Sequence, residues 1–272
     1  MSRRLRELAL QWRAKGIAAM VVEVAAVSGS APREAGARML VTAHETAGTI
    51  GGGHLEWQAI AHARALLGDP GGELEQRMAL GPRLGQCCGG VVRLRYAALD
   101  SATLLRWSPP PPLWHLQLHG AGHVGGAIAR VLAPLEIDLD WIDEREPGFG
   151  AGPWPDSWRL CASADAVAEV AAAPTGSRYL ILTHSHELDL RLVEAVLARG
   201  DFSFLGLIGS ATKRARFAAR LSERGFSAAQ IERMCCPIGL PAIPGKTPEV
   251  IAVAVCAQLL ALGSGADLAR AV

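Results

Sequence analysis

One stretch constrains this chain more than any other: Leu116-Gln117-Leu118-His119-Gly120-Ala121-Gly122-His123-Val124-Gly125. Leu113 to Leu118 is a short run of large apolar residues that suits a buried parallel strand. Gly120, Gly122 and Gly125 follow at G-x-G-x-x-G spacing, and Val124, Ile128, Val131, Leu132 and Leu135 then recur at helical spacing. A second apolar run, Ile137 to Ile142, ends in Asp143, 23 residues beyond Gly120. Each glycine has a physical task. Gly120 allows the tight turn, Gly122 lets backbone approach a phosphate, and Gly125 lets the helix pack on the strand. The helix start at His123 offers unpaired N–H groups and a positive dipole end to an anion. The stretch predicts a Rossmann-like doubly wound parallel sheet with Gly120, Gly122, His123, Gly125 and Asp143 as candidate ligand contacts.

The rest of the chain supplies a second, smaller α+β domain, giving an α/β protein overall. At 272 residues the chain has room for two cores. Half the residues are hydrophobic and the net charge is +1, without the basic footprint of a nucleic-acid binder. The longest apolar run, Val250 to Leu262, is too short to span a bilayer. Met1 to Gly16 is charged and amphipathic rather than a signal peptide, so a cytoplasmic protein is expected. Six cysteines at 87, 88, 161, 235, 236 and 256 form neither a disulfide framework nor a C-x-x-C zinc pattern, and reduced thiols are expected.

In chain order, a helix precedes a strand over 18–27, a turn-rich loop carrying Arg33, and a short strand from Arg38 to Thr42. Gly51, Gly52 and Gly53 then lead into an alanine-rich helix. They read either as an anion-receptive turn, with backbone N–H groups converging on a ligand oxygen, or as a tight strand-to-helix connection. Strands are expected at Glu73 to Leu80 and Val91 to Tyr96. Between them Gln86-Cys87-Cys88-Gly89-Gly90 places two thiols on a glycine-rich loop. Adjacent cysteines do not readily bond each other. Accessible and close to Arg83, they suit a nucleophile, a sulfur carrier or a soft-metal ligand, the alternative being small buried hydrophobes. Ser108 and four prolines to Pro112 mark the boundary: domain 1–107, linker 108–112, domain 113–272.

In the second domain, Tyr179 to Thr183 is a strand ending in His184-Ser185-His186, where ligands lie in an open α/β sheet. Phe202 to Ile208 is a further strand, followed by Gly209-Ser210-Ala211-Thr212-Lys213-Arg214. Cations in a first helical turn are unfavourable. A nearby anionic ligand would explain Lys213 and Arg214 behind the Ser210 cap, the alternative being a solvated basic face. Lys246, on a stiff loop of prolines and glycines, looks like part of a crevice wall ahead of a helix capped by Thr247.

Together the stretches Gly48-to-Glu56, Leu80-to-Gly90, Gly120-to-Gly125, Thr183-to-Asp189, Gly206-to-Arg214 and Pro237-to-Pro248 resemble the XdhC family of xanthine dehydrogenase accessory proteins. The resemblance implies a chaperone that binds molybdenum cofactor (molybdopterin) and protects it while an oxo ligand is exchanged for sulfur. It then delivers the cofactor to the molybdenum subunit of apo-xanthine dehydrogenase. A cysteine desulfurase as partner and a homodimer are also implied. The phosphate would meet the glycine turns at 51–53, 120–125 and 209 with Lys213 and Arg214, and Cys87 or Cys88 would approach molybdenum or hold a persulfide. The loop of Cys87 and Cys88 is expected to face the Rossmann crevice. Two other classes stay open. One is an NAD(P)-dependent oxidoreductase using Gly120, Gly122, Gly125 and Asp143 with His184 or His186 as acid/base. The other is a redox-sensing regulator acting through Cys87 and Cys88.

Overall fold

The computed structural model describes residues 3–68, 74–80, 89–108, 111–145, 148–152 and 154–263. The chain divides into two compact units between Pro111 and Pro112.

In the first unit, α1 (Arg3–Ala14) precedes β1 (Met20–Ser28), β2 (Arg38–Val41), β3 (Thr46–Gly48), α2 (Gly53–Leu66), β4 (Leu74–Ala79), β5 (Val91–Ala98) and α3 (Ser101–Arg106). The strands pair antiparallel in the order β3-β2-β1-β5-β4. β1 is apolar on both faces because both are covered. Met20, Val22 and Val24 share a core with Leu55, Ala59 and Ala63 of α2. Val21, pointing the other way, packs with Leu5, Ala9 and Trp12 of α1 and Leu104 of α3. β3 and α3 were not expected. α3 has only 6 residues and no helical period to read; Asp100 starts it by accepting the Thr103 N–H at 2.7 Å.

The second unit contains β6 (His115–His119), α4 (His123–Leu132), β7 (Asp138–Asp143), β8 (Arg159–Ala162), α5 (Ala166–Ala172), β9 (Arg178–Ile181), α6 (His186–Arg199), β10 (Phe204–Leu207), α7 (Ala211–Glu223), α8 (Ala228–Glu232), β11 (Met234–Cys235) and α9 (Pro248–Gly263). Its sheet is parallel throughout, in the order β11-β10-β9-β6-β7-β8. The chain starts at a middle strand, winds to one edge, returns beside β6 and winds to the other edge. This is the Rossmann-like doubly wound sheet, with its switch point between β6 and β9. Ile128 and Leu132 of α4 and Val255 and Leu259 of α9 cover one face. Val170 of α5, Val193 and Leu197 of α6 and Phe217 of α7 cover the other. Among the described residues no helix is long and apolar enough to cross a membrane.

One expectation needs correction. Residues 113–118 are not simply an apolar run. Leu116 and Leu118 face α4 and α9, but His115, Gln117 and His119 point to the opposite face, toward α5. The strand alternates with period 2, and its polar side is stabilised by hydrogen bonds. Gln117 Nε2 donates to the Glu169 carbonyl at 2.8 Å, and His115 Nδ1 lies 2.8 Å from Ser177 Oγ.

The loop after β7 is anchored by aromatic rings. Trp141 packs edge-on against Phe149 and Trp154, which stacks on Trp158. Trp141 Nε1 also donates to the Gly120 carbonyl at 3.1 Å, tying this loop to the glycine turn.

Candidate functional site

Three glycine turns lead into helices, and the structure treats them differently. Ahead of α2, Gly51, Gly52 and Gly53 all have positive φ, +127°, +73° and +64°, a path that only glycine follows without strain. The backbone N–H groups of Ile50 and Gly52 each donate at 3.0 Å to one carboxylate oxygen of Glu56, and the Thr49 hydroxyl donates to the same oxygen at 2.5 Å. The turn receives an anion as its geometry dictates, and the anion is the chain's own.

Ahead of α7, Ser210 caps the helix by accepting the Lys213 N–H at 3.2 Å. Lys213 Nζ is buried. It donates to Asp189 Oδ2 at 2.6 Å and to the Ile208 carbonyl at 2.9 Å. Asp189, 0% exposed, also accepts from the Thr183 N–H at 3.1 Å and the Thr183 hydroxyl at 2.7 Å. The anion expected to explain Lys213 is therefore an internal carboxylate. A buried charge without a partner is too costly, so the two meet. A cavity of about 440 Å³ lies beside this pair, lined by Thr183, His184, His186, Ser210, Lys213 and Arg216. Arg216 donates to His186 Nδ1 at 3.0 Å, and His184 Nε2 pairs with Glu144 at 3.2 Å. Arg214 is half-buried and Lys246 is exposed in the loop ahead of α9.

Ahead of α4 the helix N-terminus itself carries no side-chain cap. Gly120 has φ +114°, and a Cβ there would stand 2.4 Å from the Leu182 carbonyl; one on Gly125 would stand 2.1 Å from the Gly120 carbonyl. Both glycines are required by close approach of backbone to backbone. Gly122 differs. Its φ is −73°, and a Cβ would meet nothing within 4 Å. It is the N-cap of α4, with no side chain capping it, and it lines a cavity of about 580 Å³. That is ligand-sized. Around it stand His123, Arg130 and Arg145 as cationic or polar groups, Glu249 as one carboxylate, and Phe149 and Trp154 as ring faces. Sequence reading did not foresee Arg130, Arg145 or the two rings. The Gly- and Trp-rich composition of 144–158 was the only local signal for Arg145 and the rings, and Arg130 lies on α4 with none.

Asp143 ends β7 beside this turn but is already engaged. Its Oδ2 accepts the Ala121 N–H at 2.6 Å, and its Oδ1 accepts the N–H and Nε of Arg145 at 3.0 and 2.9 Å. Burial raises its carboxyl, but the hydrogen bonds from Arg145 and Ala121 outweigh it and hold the group below the usual carboxylate range. A carboxylate so placed positions the turn and Arg145 rather than waiting for a ribose hydroxyl.

Gln86, Cys87 and Cys88 lie outside the described residues. The described cysteines, 161, 235, 236 and 256, are free thiols. Burial pushes the Cys236 thiol up, and that of Cys256 up to about 12, so neither is poised as a thiolate. Among the described residues no group of three or more His, Cys, Asp or Glu side chains is placed to hold a metal ion.

Sheet order and the glycine turn ahead of α4 define a Rossmann domain, with an uncapped helix N-terminus on a ligand-sized cavity. Residues 116–259 match the XdhC Rossmann domain, and residues 12–76 match the XdhC and CoxI family. The chain belongs to the XdhC family. It is 30% identical over 242 residues to the protein YqeB of Escherichia coli K12, covering 88% of this chain and 42% of YqeB. The chain thus spans about two fifths of that relative's length. A crystal structure described as a xanthine dehydrogenase from Bacillus halodurans shares the fold, with a TM-score of 0.71 at 18% identity, covering 94% of this chain and 95% of that one.

Proposed function

We propose that the chain is an accessory factor for a molybdenum hydroxylase of the xanthine dehydrogenase type. In this reading it binds molybdenum cofactor, shields it during sulfuration by a cysteine desulfurase, and hands it to the molybdenum subunit of the apo-enzyme. It works in the cytoplasm as a homodimer and carries out no turnover of its own. Family membership sets the class of function. The observation that carries the site is the open turn of α4, where Gly122, His123, Arg130 and Arg145 line one cavity. A dianionic phosphate suits that set: N–H groups at a helix N-terminus, two guanidinium groups and room for backbone approach. Bound there, the cofactor supplies the molybdenum–sulfur chemistry, while this chain binds, orients and excludes water. Cys87 and Cys88 are proposed to reach its molybdenum or carry the sulfur. The engagement of Asp143 with Ala121 and Arg145 favours this reading over NAD(P), because a dinucleotide's ribose needs a free acceptor there.

Anaerobic titration of the purified protein with molybdenum cofactor, with NAD(P)H run in parallel, tests the reading. Gly122→Val adds bulk where nothing lies within 4 Å and is expected to fold normally. Its cofactor affinity is expected to fall about tenfold or more, since the bulk displaces a phosphate from the helix N-terminus. Cys87→Ala and Cys88→Ala, made singly, are expected to weaken retention or sulfuration without unfolding the protein. NAD(P)H binding without cofactor binding would replace this reading with the oxidoreductase.

A further inference from the structure

His119 is the last residue of β6, immediately before the glycine turn, and is 1% exposed. Its protonation can be read from its neighbours. Gln117 Nε2 donates to the Glu169 carbonyl at 2.8 Å, and a carbonyl only accepts, so the Gln117 amide is fixed with its oxygen on the other side. That oxygen lies 3.2 Å from His119 Nε2. Nε2 therefore carries the hydrogen, and Nδ1 is left with a bare lone pair. Among the described residues no group bonds Nδ1, although it is fully buried. Burial holds the ring neutral, lowering its pKa to about 4, with the Glu169 and Asp140 charges opposing the shift. A buried, unpaired acceptor is costly to maintain, and such atoms tend to mark a place where a partner arrives.

The surroundings say where. His119 lines a small cavity at the switch point between β6 and β9, together with Gly120, Asp143, Glu144, Thr183 and His184. Its room is about 10 Å³, enough for a single water and too little for a sugar or a ring. His184 and Glu144, both exposed side chains paired at 3.2 Å, also line this space. We infer that His119 Nδ1 is a ligand-recognition atom: when His184 and Glu144 part, it accepts a hydrogen bond from a neutral hydroxyl or amino group of the bound ligand. This deepens the proposed function, resting on it only for the ligand's identity. The donor has two possible sources, the amino or ring N–H groups of a pterin and the hydroxyls of a sugar.

Nitrogen NMR of the full chain labelled in its histidines reads this atom directly, because an unprotonated ring nitrogen resonates far from a protonated one. The probes are 6-methylpterin and methyl β-D-ribofuranoside, each at millimolar concentration. An upfield shift of Nδ1 with the pterin assigns the amino source, and one with the riboside assigns the hydroxyl source. No shift with either overturns the inference. Affinity for molybdenum cofactor gives a second readout with two variants. His119→Asn keeps an acceptor near the place of Nδ1 and is expected to stay close to wild type. His119→Phe removes it and is expected to lose about tenfold, the worth of one hydrogen bond to a buried group. Equal losses in both variants would make His119 structural and overturn the inference. If cofactor does not bind at all but a probe moves Nδ1, this site stands and the cofactor reading falls. If cofactor binds His119→Phe as tightly as wild type, this site falls alone.

Discussion

The turns ahead of α2 and α4 are made from the same residue type and end differently, and the difference comes down to one position. Counting from the N-cap, Gly52 is followed four residues later by Glu56, and Gly122 by Gly126. At α2 that fourth residue folds its carboxylate back over the N–H groups of Ile50 and Gly52. At α4 it has no side chain to fold back, and Gly126 lines the cavity instead. A glycine turn before a helix is a seat for an anion in both places. Whether the seat serves a ligand or the chain's own fold depends on what the first helical turn carries. The turn before α7 sides with α2, since its lysine already has Asp189.

The filled seats should therefore govern stability, and the open one binding. Lys213→Met tests this most severely. It leaves Asp189 buried and unpaired, and should cost about 3–5 kcal/mol in denaturant unfolding; Asp189→Asn in the same chain should recover much of it. A cost below about 1 kcal/mol, the worth of a surface pair, would mean Lys213 is available to a ligand after all.

The open side should carry a pH cost through His119. Its folded pKa of about 4 lies below the ordinary 6.5. Below pH 6.5 the unfolded chain takes up a proton that the folded chain refuses. Stability is thus full above 6.5 and falls toward pH 4, by about 3 kcal/mol in all. His119→Gln should flatten that slope in unfolding curves measured across the window, and an unchanged slope would place its origin elsewhere.

Glu56→Ala strips the α2 turn of its anion and should cost about 2 kcal/mol, as for other hydrogen bonds to a charged group. Added phosphate should then restore part of the loss, because the emptied turn becomes a ligand seat like that of α4. The reverse change, Gly126→Glu, has the smallest expected effect on stability. Replacing a helical glycine should add up to about 1 kcal/mol, while the new carboxylate closes the α4 turn and abolishes cofactor binding. A Gly126→Glu protein that still bound cofactor with full affinity would break the comparison.

Much of this was legible before any coordinates. The order of strand, glycines, helix, second strand and acid identified the Rossmann unit, and the open space at Gly122 lies where a phosphate-approach glycine was read. The polar row of His115, Gln117 and His119 was legible too, as a period-2 alternation, but was overlooked among the leucines beside it. Other features left no local trace. Nothing near Lys213 in sequence names Asp189, 24 residues earlier, as its partner. Likewise nothing near Ala121 shows that its N–H will occupy Asp143, 22 residues later.

The sequence by itself determined the turns. Glycine conformational freedom, helical period and strand alternation act over a few residues, and they made every one of these helix starts receptive to an anion. Only the tertiary structure decided what meets the starts of α4 and α7 from elsewhere in the chain. A buried charge must be satisfied by whatever the neighbouring element brings within about 3 Å, and which elements are neighbours follows from the strand order of the folded sheet. That order set Asp189 against Lys213, spent Asp143 on the turn it was expected to assist, and left His119 Nδ1 without a partner among the described residues.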